Sequence, residues 1–379
     1  MKKILQIFVF IMLAGSTLIV CKKPYEPPLI KGITNFLVID GSIICGNNSV
    51  TTITLSRTKA LSDSILFDPE LNAVLTIEQE GGGTFNVSEQ GNGMYRSQPL
   101  NLAPGRQYRL KVKTADNREY LSGFVAGKTT PAIDSLTWKQ DGNVTVSVHT
   151  HDPLNDTRYY RWDYTETWNY ASIYSTDYGV NNGLIFVKDA NTQTDSCWRT
   201  GTSTNIITGS SLALNEDVIS NVPVAVVSQH DERISKGYSI LVRQYAISEA
   251  AFRYLQLIQK NTQQLGSLFD AQPSQLKGNI QCVDDPNEPV IGFISASAVT
   301  DKRIFIRNRQ LKNWIYALPV SDCTSIIFIA QDPTDYRIYT YPDPLFAPYY
   351  FTSGGIALTR KACLYCTEQG GTNVKPSFW

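Results

Sequence analysis

Phe36-Leu37-Val38-Ile39-Asp40-Gly41 is an apolar run typical of a half-buried strand, and Val50-Thr51-Thr52-Ile53-Thr54-Leu55 repeats the pattern shortly afterwards. Two further runs follow at Ala73–Ile77 and Tyr108–Val112, and the second of them alternates polar and apolar residues. Clusters rich in glycine, asparagine and proline separate the runs, as turns between strands require. This spacing predicts an Ig-like, Greek-key β-sandwich over residues 36–128.

A second, larger β-rich domain is predicted over residues 129–379. Thr129-Thr130-Pro131 is typical of a joint between domains, and Val144–Val148 then alternates as a strand does. One main helix is expected at about residues 248–265, where apolar side chains recur at helical spacing: Phe252, Leu255 and Ile258. The expected fold class is therefore mainly β, with a single main helix in the second domain.

The most aromatic strand of the chain is predicted between Arg158 and Tyr170. Every second residue points to the same side of a strand, so most of its aromatic rings share one face. The rings are those of Tyr160, Trp162, Tyr164, Trp168 and Tyr170. Such a face either fills the core of the second domain or forms a platform for a glycan or peptide ligand. The core is the simpler interpretation, and the five residues are retained as candidates for a ligand platform.

Composition argues against several functional classes. The chain has 34 Lys plus Arg residues and 34 Asp plus Glu residues, so its net charge is zero. It therefore lacks the excess of basic residues that is typical of nucleic-acid-binding proteins. The chain has 3 histidines, which leaves little material for acid–base or metal chemistry near neutral pH. We find no motif that predicts a catalytic site or a cofactor, and we expect a protein that is not an enzyme.

The N-terminus is typical of an export signal. Met1-Lys2-Lys3 is basic, the run from Ile4 to Val20 is mostly apolar and uncharged, and Cys21 follows directly. A transmembrane helix is one alternative, because the run is close to the roughly 20 apolar residues that span a bilayer, and plain secretion is another. The cysteine favours a lipoprotein: residues 1–20 as signal peptide, Cys21 as the lipidated residue, and residues 21–35 as an extended tether to a membrane.

An exported protein lies in a compartment that permits disulfides. Besides Cys21 the chain has six cysteines, whose pairing cannot be deduced from sequence. Cys363-Leu364-Tyr365-Cys366 could instead bind zinc together with Cys282 and Cys323, since a structural zinc site needs four such ligands. We favour disulfides, because of the predicted compartment.

His149-Thr150-His151-Asp152 is the string most similar to a metal site. Two histidines two residues apart on a strand share a face, and Asp152 could supply an oxygen ligand. An exposed strand end explains the string equally well, and no third ligand is evident. No metal site is therefore predicted.

Several strings along the chain together resemble a known family. The closing strings are the most specific of them: Cys363-Leu364-Tyr365-Cys366-Thr367, Gly370-Gly371-Thr372-Asn373 and Lys375-Pro376-Ser377-Phe378-Trp379. Others are Leu37-Val38-Ile39-Asp40-Gly41, Cys197-Trp198, the run Tyr238–Tyr245 and Val290-Ile291-Gly292-Phe293. The chain resembles the lipoproteins of domain-of-unknown-function family 4249 of the Bacteroidetes. Cys45 is additional to the cysteines of that family, which leaves as disulfide candidates Cys197, Cys282, Cys323, Cys363 and Cys366.

The resemblance implies an outer-membrane lipoprotein that is an accessory to a TonB-dependent transporter. The expected role is non-enzymatic: binding substrate for the transporter barrel, capping it, or assisting assembly. Lys22-Lys23 after the cysteine departs from the acidic residues associated with surface display, so the face of the membrane is left open. Two alternatives also remain: an independent surface protein that binds or hydrolyses glycans, and a structural protein of the envelope.

Overall fold

The computed structural model describes residues 35–59, 67–182, 184–189, 196–263, 277–316, 323–330 and 345–379. The predicted signal segment, Cys21 and all but the last residue of the tether lie outside these ranges. The described chain is mostly β-strand with one long helix, which confirms the predicted mainly-β class. Within these ranges no helix is both long and apolar enough to cross a bilayer.

The strands are numbered along the chain as follows: β1 (Leu37–Ser49), β2 (Thr52–Arg57), β3 (Asp68–Pro69), β4 (Val74–Gln79), β5 (Thr84–Gly91), β6 (Met94–Ser97), β7 (Leu100–Leu102), β8 (Gln107–Lys113), β9 (Glu119–Ser122), β10 (Val125–Lys128), β11 (Ile133–Asp141), β12 (Asn143–His151), β13 (Tyr159–Ala171), β14 (Tyr178–Asn181), β15 (Leu184–Val187), β16 (Ser196–Thr202), β17 (Ile207–Ser210), β18 (Val218–Val227), β19 (Gly237–Ala246), β20 (Ile280–Cys282), β21 (Ile291–Gly292), β22 (Ala296–Arg307), β23 (Ile327–Ala330), β24 (Phe346–Thr352) and β25 (Gly355–Arg360). The helices are α1 (Glu249–Gln263) and the short α2 (Lys361–Leu364), and 3-10 turns occur at Glu232–Ile234, Asn308–Gln310 and Cys366–Gln369.

The first unit is a sandwich-like body of short antiparallel strands. β2 pairs with β1 and β6, β5 with β4 and β6, and β8 with β4, β9 and β10. Side chains alternate between the core and solvent along each strand, as in β8, where Tyr108, Leu110 and Val112 are buried. The predicted strands at Phe36–Gly41, Val50–Leu55, Ala73–Ile77 and Tyr108–Val112 all lie in this body.

A later segment completes the first unit. β20 pairs with β9, while β21 and the first residues of β22 pair in parallel with β1. This segment contributes part of the core: Ile280, Cys282, Val290, Ile294 and Ala296. The boundaries 36–128 and 129–379 therefore need correction, because residues 277–298 return to the first unit. Strand pairing between residues some 250 positions apart leaves no local signal in the sequence.

The second unit is a sandwich of two antiparallel sheets. One sheet is β11–β12–β18, and the other is built from β13, which pairs with β16 and β17 on one side and with β19 on the other. β22 continues that second sheet beyond β19. The core lies between the two sheets and holds the rings of Tyr160, Trp162, Trp168, Tyr170 and Tyr238.

Helix α1 packs where the two units meet. Ser248 caps its N-terminus, because its Oγ accepts a hydrogen bond from the amide of Ala251 at 3.2 Å. The apolar face of the helix joins a small cluster with Ile44 and Phe293 of the first unit and Tyr245 of the second. The predicted helix is therefore confirmed from residue 249 to 263, and residues 264 and 265 lie outside the described ranges.

A third, smaller cluster involves the C-terminal part of the chain. The hairpin β14–β15 and the sheet β23–β25–β24 enclose Ile185, Ile356 and Leu358. This cluster lies next to the C-terminal segment that carries Cys363 and Cys366.

Candidate functional site

The aromatic face of β13 is part of the core. Tyr160, Trp162, Trp168 and Tyr170 are buried, and Tyr164 is half-buried against the same cluster. The Nε1 of Trp162 donates to Oε1 of Gln244 at 2.8 Å, so its polar atom is satisfied inside the protein. The five rings therefore do not form an exposed platform, although Trp162 also lines the cleft described below. Alternation correctly grouped the rings on one face, but it carries no information on which face a second sheet covers.

Four cysteines form two disulfides. Cys197 is bonded to Cys366, and Cys323 to Cys363, so each cysteine of the Cys363-Leu364-Tyr365-Cys366 motif reaches a distant partner. The preference for disulfides over zinc is thus confirmed. Among the described residues, no group of three or more His, Cys, Asp or Glu side chains is placed to hold a metal ion.

Cys282 was wrongly included among the disulfide candidates. It is a free thiol buried in the first unit, whereas the four paired cysteines lie on strands and turns of the second unit or beside them. Burial raises its pKa, and the nearby Glu288 adds to the shift. Cys45, the other cysteine of that core, is also free and buried.

The histidines of the string His149–Asp152 have separate partners. His149 bonds to Thr137 Oγ1 at 2.9 Å, and His151 to Asp134 at 2.8 Å. Asp152 accepts hydrogen bonds from the amides of the following turn, including those of Leu154 and Thr157. This arrangement is that of an exposed strand end followed by an aspartate-capped turn.

A cleft of about 560 Å³ lies between the two units, under helix α1. Its first wall is the start of β1 together with the segment from Ile291 to Ser295. The opposite wall is formed by β13, β19 and the loop Thr202–Ile207, while Tyr254, Leu255 and Ile258 of the helix close one end. This volume falls within the range typical of small-molecule sites.

An ion cluster occupies the wall formed by the second unit. The Nε of Arg243 donates to Oδ1 of Asp163 at 2.5 Å, and Nη2 of Arg161 donates to Oδ2 at 3.0 Å. The guanidinium of Arg161 also lies 4.6 Å from the ring centre of Tyr245. Burial would lower the pKa of Arg243, but Asp163 raises it above its ordinary value. Two arginines share one carboxylate, so this wall carries excess positive charge.

Tyr254 of helix α1 lines the cleft with a side chain that is only 7% exposed. Its hydroxyl oxygen is shielded from solvent and lies near the main chain at Gly292. Burial raises the pKa of this tyrosine, and the main chain at Gly292 opposes the shift. Asp40 lies exposed at the rim.

The comparisons with known proteins give one strong match. The sequence model described as "Domain of unknown function (DUF4249)" matches residues 22–303. The chain belongs to the DUF4249 family. No curated protein matches the sequence.

Two solved structures show weak likeness to this DUF4249 chain. The Yersinia pseudotuberculosis adhesin InvE is 15% identical, with 55% of this chain and 54% of the adhesin covered and a TM-score of 0.17. A biofilm associated protein, in its BSP domain, is 8% identical, with 72% of this chain and 59% of that chain covered and a TM-score of 0.16. The chain thus spans little more than half of either protein, and such scores carry no argument about fold or function.

Every residue that lines the cleft lies inside the matched DUF4249 segment. Sequence reasoning missed this site, because its lining comes from six separate parts of the chain. The sequence signal for this site is weak. Arg161 and Asp163 lie on the outward face of β13, and their aromatic neighbours face the core.

Proposed function

We propose that this DUF4249 protein is an exported, lipid-anchored binding subunit that works beside a TonB-dependent transporter of the outer membrane. In this proposal Cys21 carries the lipid, the body is not an enzyme, and the cleft between the two units holds a small amphipathic ligand. The two disulfides support export, because such bonds persist in oxidising compartments.

The observation that carries the binding role is the cleft, which has both apolar residues and two arginines in its lining. Leu255, Ile258 and Phe293 offer an apolar wall. Arg161 and Arg243 on the opposite wall offer polar contacts. A ligand with an apolar part and a hydrogen-bond acceptor or anionic group matches this arrangement.

The test is purification of the tagged protein from native membranes in mild detergent, followed by identification of whatever co-elutes. A Cys21→Ala version, which cannot be lipidated, is the control for the anchor. We expect a stoichiometric TonB-dependent barrel with the native protein and a loss of membrane association with the variant. A lipoprotein that elutes alone would contradict the accessory role.

The ligand is tested on the same preparation by native mass spectrometry. We expect a small molecule that stays bound to the native protein and whose binding is weakened by Arg161→Gln. That substitution removes one cation of the cleft and leaves the pair of Arg243 with Asp163 in place. Equal occupancy in the variant would show that Arg161 does not contact the ligand.

A further inference from the structure

The last residues of the chain lie across the outer face of the sheet that contains β13, β19 and β22. Trp198 and Thr372 pair through their main chains, with N–O distances of 2.8 and 3.0 Å. The ring of Trp379 then packs over Gly237, where a Cβ would stand 3.0 Å from the ring. Its edge meets Phe305, with ring centres 5.7 Å apart.

A groove of about 510 Å³ is left between this tail and the strands. The residues that matter chemically are of two kinds, three cations and three aromatic rings: Lys236, Arg307, Lys375, Phe305, Phe378 and Trp379. The groove is separate from the cleft between the two units, and the two share no lining residue.

The cations of the groove have no acidic side chain beside them among the described residues. Lys236, Arg307 and Lys375 are exposed, and none of them forms an ion pair in the part of the chain that the structure describes. No Asp or Glu side chain lines the groove within that part. Three cations without an Asp or Glu partner in one groove form a local field that favours an anion.

The rings give the groove an apolar side. Phe305 is 43% exposed and Phe378 is 41% exposed, and both lie beside the cations. The guanidinium of Arg303 lies 3.7 Å from the ring centre of Phe378 and fixes that ring from one side. Exposed ring faces suit ligands whose own rings have apolar faces and polar edges.

The tail that forms one side of the groove is held in place. Cys366 anchors its start to Cys197 of β16, and Trp198 next to that cysteine pairs with Thr372. A groove that is already ordered costs less conformational entropy when a ligand binds.

We propose that this groove binds an acidic saccharide, a short chain of sugar rings bearing carboxylate or sulfate groups. The sugar rings lie on Phe305 and Phe378, and the anionic groups meet Lys236, Arg307 and Lys375. A nucleic acid is disfavoured, because the chain has no net positive charge and the cations are confined to one short groove. This site goes beyond the proposed role beside a transporter and does not depend on it.

The test is isothermal titration of the full-length protein in detergent with trigalacturonate, with its fully methyl-esterified form, and with hexaglutamate. The ester keeps the sugar rings and removes the charge, whereas hexaglutamate keeps the charge and lacks the rings. We expect trigalacturonate, or a sulfated tetrasaccharide in a parallel titration, to bind at least about tenfold more tightly than either comparison compound. Its affinity should fall as salt rises.

Substitutions then assign the binding to the groove. Lys236→Gln with Arg307→Gln should weaken binding about tenfold, and Phe305→Ala with Phe378→Ala should do the same. Lys113→Gln is the charge control, and Phe124→Ala is a close aromatic control, because Phe124 is also 41% exposed beneath an arginine, Arg109. Equal binding of the neutral ester, equal binding of hexaglutamate, or no binding of either acidic saccharide would overturn the proposal.

Discussion

At the scale of single residues, Glu166 is a carboxylate buried in the second unit, where it needs partners for its charge. It lies on the core face of β13 among aromatic rings. Its carboxylate accepts hydrogen bonds from Nη1 of Arg233 at 3.0 and 3.1 Å and from the hydroxyl of Tyr238 at 2.7 Å. Burial would lower the pKa of Arg233, but Asp231 and Glu166 raise it instead. The carboxylate is therefore tolerated in the core because it is fully paired.

Replacing Arg233 should show how much Glu166 destabilises the protein when its charge has no cationic partner. Arg233→Met keeps the length of the side chain and leaves Glu166 without its cation, so we expect the free energy of unfolding to fall by about 2 kcal/mol. Urea denaturation followed by fluorescence measures it. Arg253→Met is the matched control, because Arg253 pairs with Glu249 on an exposed face of α1 and should contribute little. Equal losses in the two variants would contradict this account of Glu166.

The free thiols of the first unit should be unreactive in the folded protein. Burial raises the pKa of Cys45 to about 11, so at pH 8 about one thousandth of it is thiolate. Burial also raises the pKa of Cys282. We expect iodoacetamide to leave both unmodified for hours at pH 8 and to label both within minutes in urea, as measured by mass spectrometry. Rapid labelling of either thiol without denaturant would show that its core opens easily.

At the scale of elements, the C-terminal region depends on its covalent links. The Cys197–Cys366 bond joins residues 169 apart, and the Cys323–Cys363 bond joins residues 40 apart. Gly371 lies next to the first bond, where a Cβ would collide with the hydroxyl of Tyr170 and stand 2.9 Å from Cβ of Cys197. The main chain of the tail can approach β13 and β16 this closely because the residue is glycine.

Removing the longer link should destabilise the protein most. Cys197→Ala with Cys366→Ala should lower the free energy of unfolding by about 2–4 kcal/mol, since the unfolded chain gains the freedom of a long loop. Cys323→Ala with Cys363→Ala is the comparison and should cost less, because it opens a shorter loop. Guanidinium denaturation of each pair gives the values. The opposite order would mean that local packing outweighs chain entropy at these bonds.

Local elements were predictable from local pattern, and their assembly was not. Alternation located β12 and β13, and apolar spacing located α1. Alternation also grouped Tyr160 with Trp162, but whether that face is buried depends on β11, β12 and β18, which lie elsewhere in the chain. The cleft escaped prediction for the same reason, because its charged wall and Tyr254 meet only when the two units fold together.

At the scale of the whole molecule, β22 belongs to both units. Its first residues, Ala296–Ala298, pair with β1, and the strand continues without a break to pair with β19. The first unit also needs the returning residues 277–298 to fill its core. The two units should therefore unfold as one cooperative body.

This coupling predicts that residues 35–128 do not fold alone. The fragment lacks Ile280, Val290, Ile294 and Ala296, which leaves an open core and an unpaired edge on β9. We expect poor dispersion in its proton NMR spectrum and no cooperative thermal transition, whereas the full chain shows a single transition by calorimetry. A well-dispersed, cooperatively melting fragment would contradict the prediction and restore the simple boundary at residue 128.

The parallel pairing of β1 with β22 also decides how the protein bears mechanical load. A pull on the chain ahead of Asn35, resisted at the far end of β22, runs along both strands. The hydrogen bonds between the strands are then perpendicular to the force and are loaded in shear. They must therefore break together instead of one after another. A protein pulled between its N-terminus and its second unit should therefore unfold at a high force and in a single step.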